Sequence, residues 1–275
     1  MSTQGTLTVH VAGIGALGPG LPDWAAARAC LLAPGTWQRQ ATVVPQSDLL
    51  PPTERRRAGS VVKASIAVAD AACRHAGVDP ASMATVFASS SGEPANCHAL
   101  CEALATAERL VSPTRFTNSV HNAAAGYWHI ATHSMQASTS LCGFDASFAA
   151  GLLEAAAQCQ SGQRPVLLVA CDSPYPEPLN ALRHVADVFA VALLLQPVGG
   201  GGGGCSALQL RLQGAAPDTA CDDARFEELR RTIPAARSLP LMQALARQAP
   251  VTMVLEGPPG LSLRLDVAPA RGTPP

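Results

Sequence analysis

Apolar patterns of two different periods alternate along the first 170 residues, and that alternation limits the fold more than any other feature. "LTVHVAGIGALGPG" (7–20) alternates apolar and polar positions and then meets glycines, so it reads as a strand ending in a loop. "TERRRAGSVVKASIAVADAACRHAG" (53–77) reads as one helix, with Thr53 as N-cap, Gly77 as stop and Val61, Ala64, Ile66 and Val68 on its apolar face. "ATVFASSSGE" (84–93) is a strand running into a small-residue turn, and "PANCHALCEALATAE" (94–108) is a helix with Pro94 in its first turn. "SVHNAAAGYWHIATH" (119–133) is helical despite Gly126. A strand at 137–143 and a helix at 145–159 follow, then a buried strand in "RPVLLVACDSP" (164–174). Strands that alternate with helices in this way form a largely parallel sheet covered by helices on both faces, an α/β architecture.

Further along the pattern changes. "VFAVALLLQP" (188–197) and "SALQLRLQG" (206–214) are successive strands and are expected to pair as an antiparallel hairpin. The six glycines 199–204 between them make a flexible connector. Residues 222–246 read as two short helices divided by Pro234 and Pro240, and 251–257 and 261–269 as two last strands. The expected organisation is a main domain over 1–214 and a C-terminal tail over 215–275 that packs on it.

Several functions are excluded early. Formal net charge is −1 and Lys63 is the only lysine, so no basic face for nucleic acid is expected. No apolar run without Gly, Pro or charge is long enough to span a bilayer. Residues 1–9 carry no Lys or Arg, and the apolar start is broken by Gly13, Gly15, Gly18 and Pro19, unlike a secretion signal. The nine cysteines at irregular spacing are therefore expected to be reduced thiols of a cytoplasmic protein. Only 14% of residues are charged and 48% are apolar, a surplus that commonly ends in an interface.

Motifs with a chemical meaning are few. "GIGALG" (13–18) fits G-x-G-x-x-G, but a dinucleotide fingerprint must open a helix and be followed about 20 residues later by an acid. Here Pro19, Gly20 and Pro22 follow at once and 33–40 holds no acid, so a structural turn is expected. Cys97, His98 and Cys101 share one helix, and His129 and His133 another. Neither set has the second pair that a zinc site needs, so no metal and no cofactor is expected. Cys171 ends an apolar strand and is expected to be inert, and Asp172 beside it belongs to no recognisable triad. The turn in "ASTSLCGFDASFAAGLLEAAAQC" (137–159) is the richest feature. It offers Cys142, Asp145 and Ser147 at the start of a helix, where a developing anion is stabilised.

Residues 116–155 resemble the middle of a β-ketoacyl synthase. Asn122, Ala125, Gly126 and Ile130 match that family's N-x-x-A-G-x-x-x-I helix pattern, and a strand, a nucleophile elbow and a small-residue helix follow. "HVAGIGALGPG", "VVKASIAVADAA", "VFASSSGE" and "VFAVALLLQP" resemble other family elements in order, so the likeness spans about 7–212. It implies a thiolase-like fold, specifically the first of that fold's two similar halves. Counting without gaps from Asn122 puts the family's nucleophile position on Asp145 rather than Cys142, and counting back from "GLLEA" agrees. A carboxylate is a poor substitute for a thiolate in this reaction, whereas it suits a helix N-cap. The family's two C-terminal histidines and lysine have no counterpart after His184.

The resemblance therefore implies a chain without its own catalytic residue, similar to the chain length factor of aryl polyene pigment systems. Such a subunit pairs with an active ketosynthase and shapes the acyl tunnel. On that reading Asn122, Gly126, Ser140, Phe144, Asp145 and Phe148 lie at the tunnel or the interface, and Phe148→Ala would lengthen products. Two alternatives stay open. Cys142 could act as nucleophile with His121, His129 or His133 as base. Or the chain could be an adaptor for an acidic acyl carrier protein, docked through Arg55, Arg56 and Arg57.

Overall fold

The computed structural model describes residues 5–199 and 205–270, so five of the six connector glycines lie outside the described residues. Eight strands form one sheet: β1 (Leu7–Leu17), β2 (Ala84–Ala88), β3 (Ser138–Leu141), β4 (Val166–Asp172), β5 (Phe189–Pro197), β6 (Ser206–Gly214), β7 (Val251–Glu256) and β8 (Leu261–Ala268). Their order is β3-β2-β4-β5-β1-β6-β8-β7. The helices are α1 (Trp24–Leu32), α2 (Pro52–Arg57), α3 (Ser60–Ala76), α4 (Pro94–Ala105), α5 (Pro113–Thr117), α6 (Ala123–Thr132), α7 (Ser147–Gly162), α8 (Leu179–Leu182), α9 (Ala224–Thr232) and α10 (Leu239–Arg247).

The sheet is mixed, but the expectation that most of it is parallel needs correction. Only β2–β3 and β2–β4 are parallel pairs; the other five are antiparallel. Alternation of strand and helix persists to β4 and predicts parallel pairing only there. After β4 that alternation breaks down: only the four-residue α8 separates β4 from β5, β5 and β6 each lie antiparallel to β1, and β6 and β7 each lie antiparallel to β8. The expected hairpin of β5 with β6 is also corrected. Both pair with β1, which lies between them. β5 and β6 are therefore separated by one strand, a distance of roughly 10 Å.

Helices cover both faces. Along β4 the side chains alternate: Val166, Leu168 and Ala170 join a core with α1, α7, α9 and α10, while Leu167, Val169 and Cys171 join a second core with α3 and α6. Burial on both sides explains why this strand reads as an unbroken apolar run. In β6, Leu208 and Leu210 are buried while Gln209 and Arg211 are exposed, so the sheet beyond β1 is covered on one face only. The tail supplies that cover. Phe226, Leu229, Ile233, Leu239, Leu241 and Leu245 pack into the first core, and β8 pairs with β6 along Ala207–Gly214.

Two further expectations change at the level of single elements. The reading of 53–77 as one helix fails at Ala58 and Gly59. Pro51 rather than Thr53 precedes α2, and α3 restarts at Ser60. The Glu93 carboxylate fills the break. It accepts the Val61 N–H at 3.0 Å and the Ser60 hydroxyl at 3.1 Å, capping α3 from outside. Gly59 leaves room for it, since a Cβ there would meet the carboxylate at 2.2 Å. Burial nonetheless raises the Glu93 pKa, against those hydrogen bonds. "GIGALG" is not a turn: β1 runs through Gly13 and Gly15 to Leu17. Its glycines let α3 approach. A Cβ on Gly13 would lie 2.2 Å from the Ala72 carbonyl oxygen, and one on Gly15 would lie 2.0 Å from that of Val68.

Candidate functional site

The three parallel strands end together, at the edge where open α/β sheets commonly carry their sites. β3 leads into Cys142 and Gly143, β2 into Ser89 and Ser90, and β4 ends on Asp172. Ser89 N–H donates to the Leu141 carbonyl at 3.2 Å, which ties β2's end to β3's. Ser90 donates to Asp172 Oδ1 twice, from N–H and from Oγ, both at 2.7 Å. The Ser89 hydroxyl adds a third bond at 3.2 Å.

Asp172 is buried and its Oδ2 has no hydrogen-bond partner, although the Ala235 N–H lies near enough to favour the charged form. Desolvation outweighs these donors and raises its pKa to about 6. The folded pKa then exceeds the ordinary value, so this group's contribution to stability is full below about pH 4 and is lost as pH rises through about 6. Two pKa units correspond to about 2–3 kcal/mol. Asp172→Asn is expected to reduce the difference in Tm between pH 4.5 and pH 7.5 by roughly 5 °C or more. Thermal unfolding of both proteins at the two pH values measures this, and equal slopes would refute the assignment.

The elbow is built as the spacing implied: a short strand, a tight turn and an apolar helix. Gly143 precedes a 3₁₀ turn over Phe144–Ala146, and α7 starts at Ser147. The buried Ser147 holds the turn, donating to the Phe144 carbonyl at 2.7 Å and accepting the Gly143 N–H at 3.0 Å. Phe144 has φ 55°, a left-handed conformation that a bulky residue adopts at a cost of about 1–2 kcal/mol. Its ring is 60% exposed, with the Arg183 guanidinium 3.7 Å from the ring centroid. Phe148, one turn into α7, is fully buried.

Asp145 does not cap α7, and that expectation is corrected. Ala146 occupies the N-cap position and no side chain bonds the helix's first N–H groups. Asp145 instead accepts from Arg183 Nη2 at 2.9 Å, with Arg237 Nη2 at 3.4 Å on its other oxygen. Arg237 also pairs with Glu256 on β7. Two cations outbid the helix dipole because full charges at hydrogen-bond distance interact more strongly than the partial charge of a helix end. No local pattern signals this, because Arg183 and Arg237 lie 38 and 92 residues downstream, the second inside the tail.

Cys142 is exposed, and its Sγ lies 3.3 Å from the Ser90 carbonyl oxygen. Among the described residues no histidine bonds it. His121 donates from Nε2 to the Ser89 carbonyl at 3.1 Å, and His129 donates from Nδ1 to the Ser134 carbonyl at 2.8 Å. His133 ends α6 in a left-handed cap. Asn122, the residue before α6, and Gly126 on α6 are exposed, as is Ile130 one turn on from Gly126, and Ser140 is half-buried on β3. Arg55 is committed to Asp48 and the Leu50 carbonyl, Arg57 to Glu54, and Arg56 lies 3.5 Å from Thr53 Oγ1. Burial pushes the Cys171 thiol well above its ordinary value, as expected of an inert residue. Among the described residues no three His, Cys, Asp or Glu side chains gather as metal ligands, and no helix is long and apolar enough to cross a membrane.

Comparison with known proteins agrees with this architecture. The family model of the β-ketoacyl synthase N-terminal domain matches residues 24–254. No curated protein matches the chain. Among solved structures, a ketosynthase in complex with its chain length factor from Xenorhabdus doucetiae superposes with a TM-score of 0.72 at 23% identity, covering 94% of this chain and 99% of that one. The ishigamide ketosynthase/chain length factor gives 0.72 at 14% identity, covering 96% of this chain and 100% of that one. A type II polyketide synthase acyl-carrier protein in complex with its ketosynthase gives 0.74 at 14% identity, with the same coverage.

Proposed function

The chain belongs to the family of the β-ketoacyl synthase N-terminal domain, and on that footing we propose that it is a non-catalytic, chain-length-factor-like subunit. It would pair with an active ketosynthase, shape the acyl tunnel during polyene or polyketide elongation, and work in the cytoplasm. The observation that carries this reading is the elbow. Where the fold presents a nucleophile at a helix start, this chain presents Asp145 held between Arg183 and Arg237. A carboxylate whose two oxygens are both engaged by guanidinium groups is a poor attacking group.

The sheet edges support a partner. On the β7 side the segment after β6 covers the edge: Thr219 N–H donates to the Val254 carbonyl at 2.8 Å, and Val254 N–H donates to the Thr219 hydroxyl at 2.9 Å. β3 at the opposite edge pairs, among the described residues, with β2 alone. An edge left open, beside the exposed Asn122, Gly126 and Ile130, is a template for another chain's strand. We read 1–214 as the main synthase-like part and 215–275 as a tail packed on it, with the family match continuing into the tail as far as residue 254.

The test is co-expression with an active ketosynthase from the same organism. A 1:1 complex by solution mass is expected, with acyl groups carried on the ketosynthase cysteine and none on this chain. A monomer or homodimer that ignores the ketosynthase, or acylation of Cys142, would favour an enzyme in its own right. Binding of an acyl carrier protein by this chain alone would favour the adaptor, although the arginines at 55–57 are engaged with near neighbours.

A further inference from the structure

From Cys101 to Thr117 no residue is buried, yet this stretch carries Leu104 at 53%, Leu110 at 79% and Phe116 at 67% exposure. Val120, just beyond, is 49% exposed. The stretch leaves the end of α4, turns through Arg109 at φ 49° and returns through α5. Its base is fixed. Asn96 donates to the Arg115 carbonyl at 2.6 Å, and the buried Asn118 donates to the Arg57 carbonyl at 2.9 Å and accepts from the Tyr127 hydroxyl at 3.1 Å. A pinned base under a largely exposed arm that carries large apolar side chains is a projecting element, not a frayed one.

The arm is continuous with the open sheet edge. His121 at its foot bonds Ser89, whose N–H bonds Leu141 at the end of β3. Area decides what the arm is for. A stable interface takes about 800 Å² from each partner. The four residues of β3 present only a few hundred Å², too little to hold a partner alone. The exposed parts of Leu104, Leu110, Phe116 and Val120 add roughly 400–500 Å², which together with β3 approaches what one partner contributes to a stable interface.

We propose that residues 101–120 form a clasp that lies against the active ketosynthase subunit, with Leu110 and Phe116 as its anchors. This rests on the pairing proposed above and adds where the pair is held. Exposed residues can be changed without unfolding the chain, so the double variant Leu110→Glu, Phe116→Glu is expected to keep its Tm within about 2 °C. The same variant is expected to weaken the complex with the ketosynthase roughly a hundredfold or more. Val43→Glu, at an 82% exposed position elsewhere, is the control and is expected to leave the complex intact. The milder Leu110→Ser reports the same loss in smaller measure if the double variant melts early.

Sedimentation of each chain with the ketosynthase gives the answer. A double variant that binds within threefold of the unaltered chain overturns the clasp while leaving the pairing intact. An unaltered chain that ignores the ketosynthase but forms homodimers, which the double variant dissociates, overturns both the pairing and the named occupant. An unaltered monomer whose mass the double variant does not change overturns both as well.

Discussion

Gly15→Ala is expected to destabilise the protein by about 3–4 kcal/mol and lower its Tm by roughly 6–16 °C, although it adds one methyl group. The new Cβ would lie 2.0 Å from the Val68 carbonyl oxygen, and the Val68 carbonyl carbon and Cα are within 3.0 Å. These are backbone atoms of a 17-residue helix, so no side chain can swing aside. Gly13 faces Ala72 in the same way, and the geometry is periodic. Two residues of strand advance about 7 Å and four residues of helix about 6 Å, so i, i+2 on β1 matches i, i+4 on α3. Gly126→Ala is the counterpart, since nothing lies within 4 Å of a Cβ there. In mid-helix it should stabilise by about 0.5–1 kcal/mol. Thermal unfolding of the two variants should move in opposite directions; a neutral Gly15→Ala would mean that α3 shifts freely over β1.

Those glycines show what a single sequence conveys. Glycine marks a place where a side chain is unwelcome, for a turn or for a close neighbour. Read alone, "GIGALG" gave the turn, because α3 lies 50 residues away in the chain. The period-2 and period-3.6 patterns did reveal the elements, including β6 at 206–214 and the tail's helices and last strands. Periodicity records which face of a strand is buried, not which strand lies beside it. That is why β1's insertion between β5 and β6, and with it the mostly antiparallel pairing, was not legible. At the elbow, the order of strand, turn and helix was readable because it is local. The partners of Asp145 were not, because charge pairing carries no period. Asp172 at the end of an apolar strand, followed by Ser173 and Pro174, was the one available hint of the buried acid.

Phe148→Ala is expected to act on stability before it acts on any tunnel. The side chain is 1% exposed and packs in the core that includes Leu152, Leu168 and Phe189. Its removal should cost about 3–5 kcal/mol, a Tm roughly 6–20 °C lower. α7 begins one residue earlier at Ser147, whose hydroxyl holds Gly143 and Phe144, so a loosened α7 also loosens the elbow. A change in product length from this variant would therefore not report tunnel volume. Phe144 is the sharper probe. Its ring is largely exposed, so Phe144→Ala gives up a contact with Arg183 worth about 0.5–1 kcal/mol and leaves the left-handed backbone at that position in place. In a reconstituted pair, Phe148→Ala should first appear as lost soluble complex. Phe144→Ala should keep the complex and, if the elbow faces the growing chain, shift its length. Product lengths unchanged by Phe144→Ala, in a complex of normal mass and Tm, would place the elbow away from the acyl path and leave Asp145 a structural anchor alone.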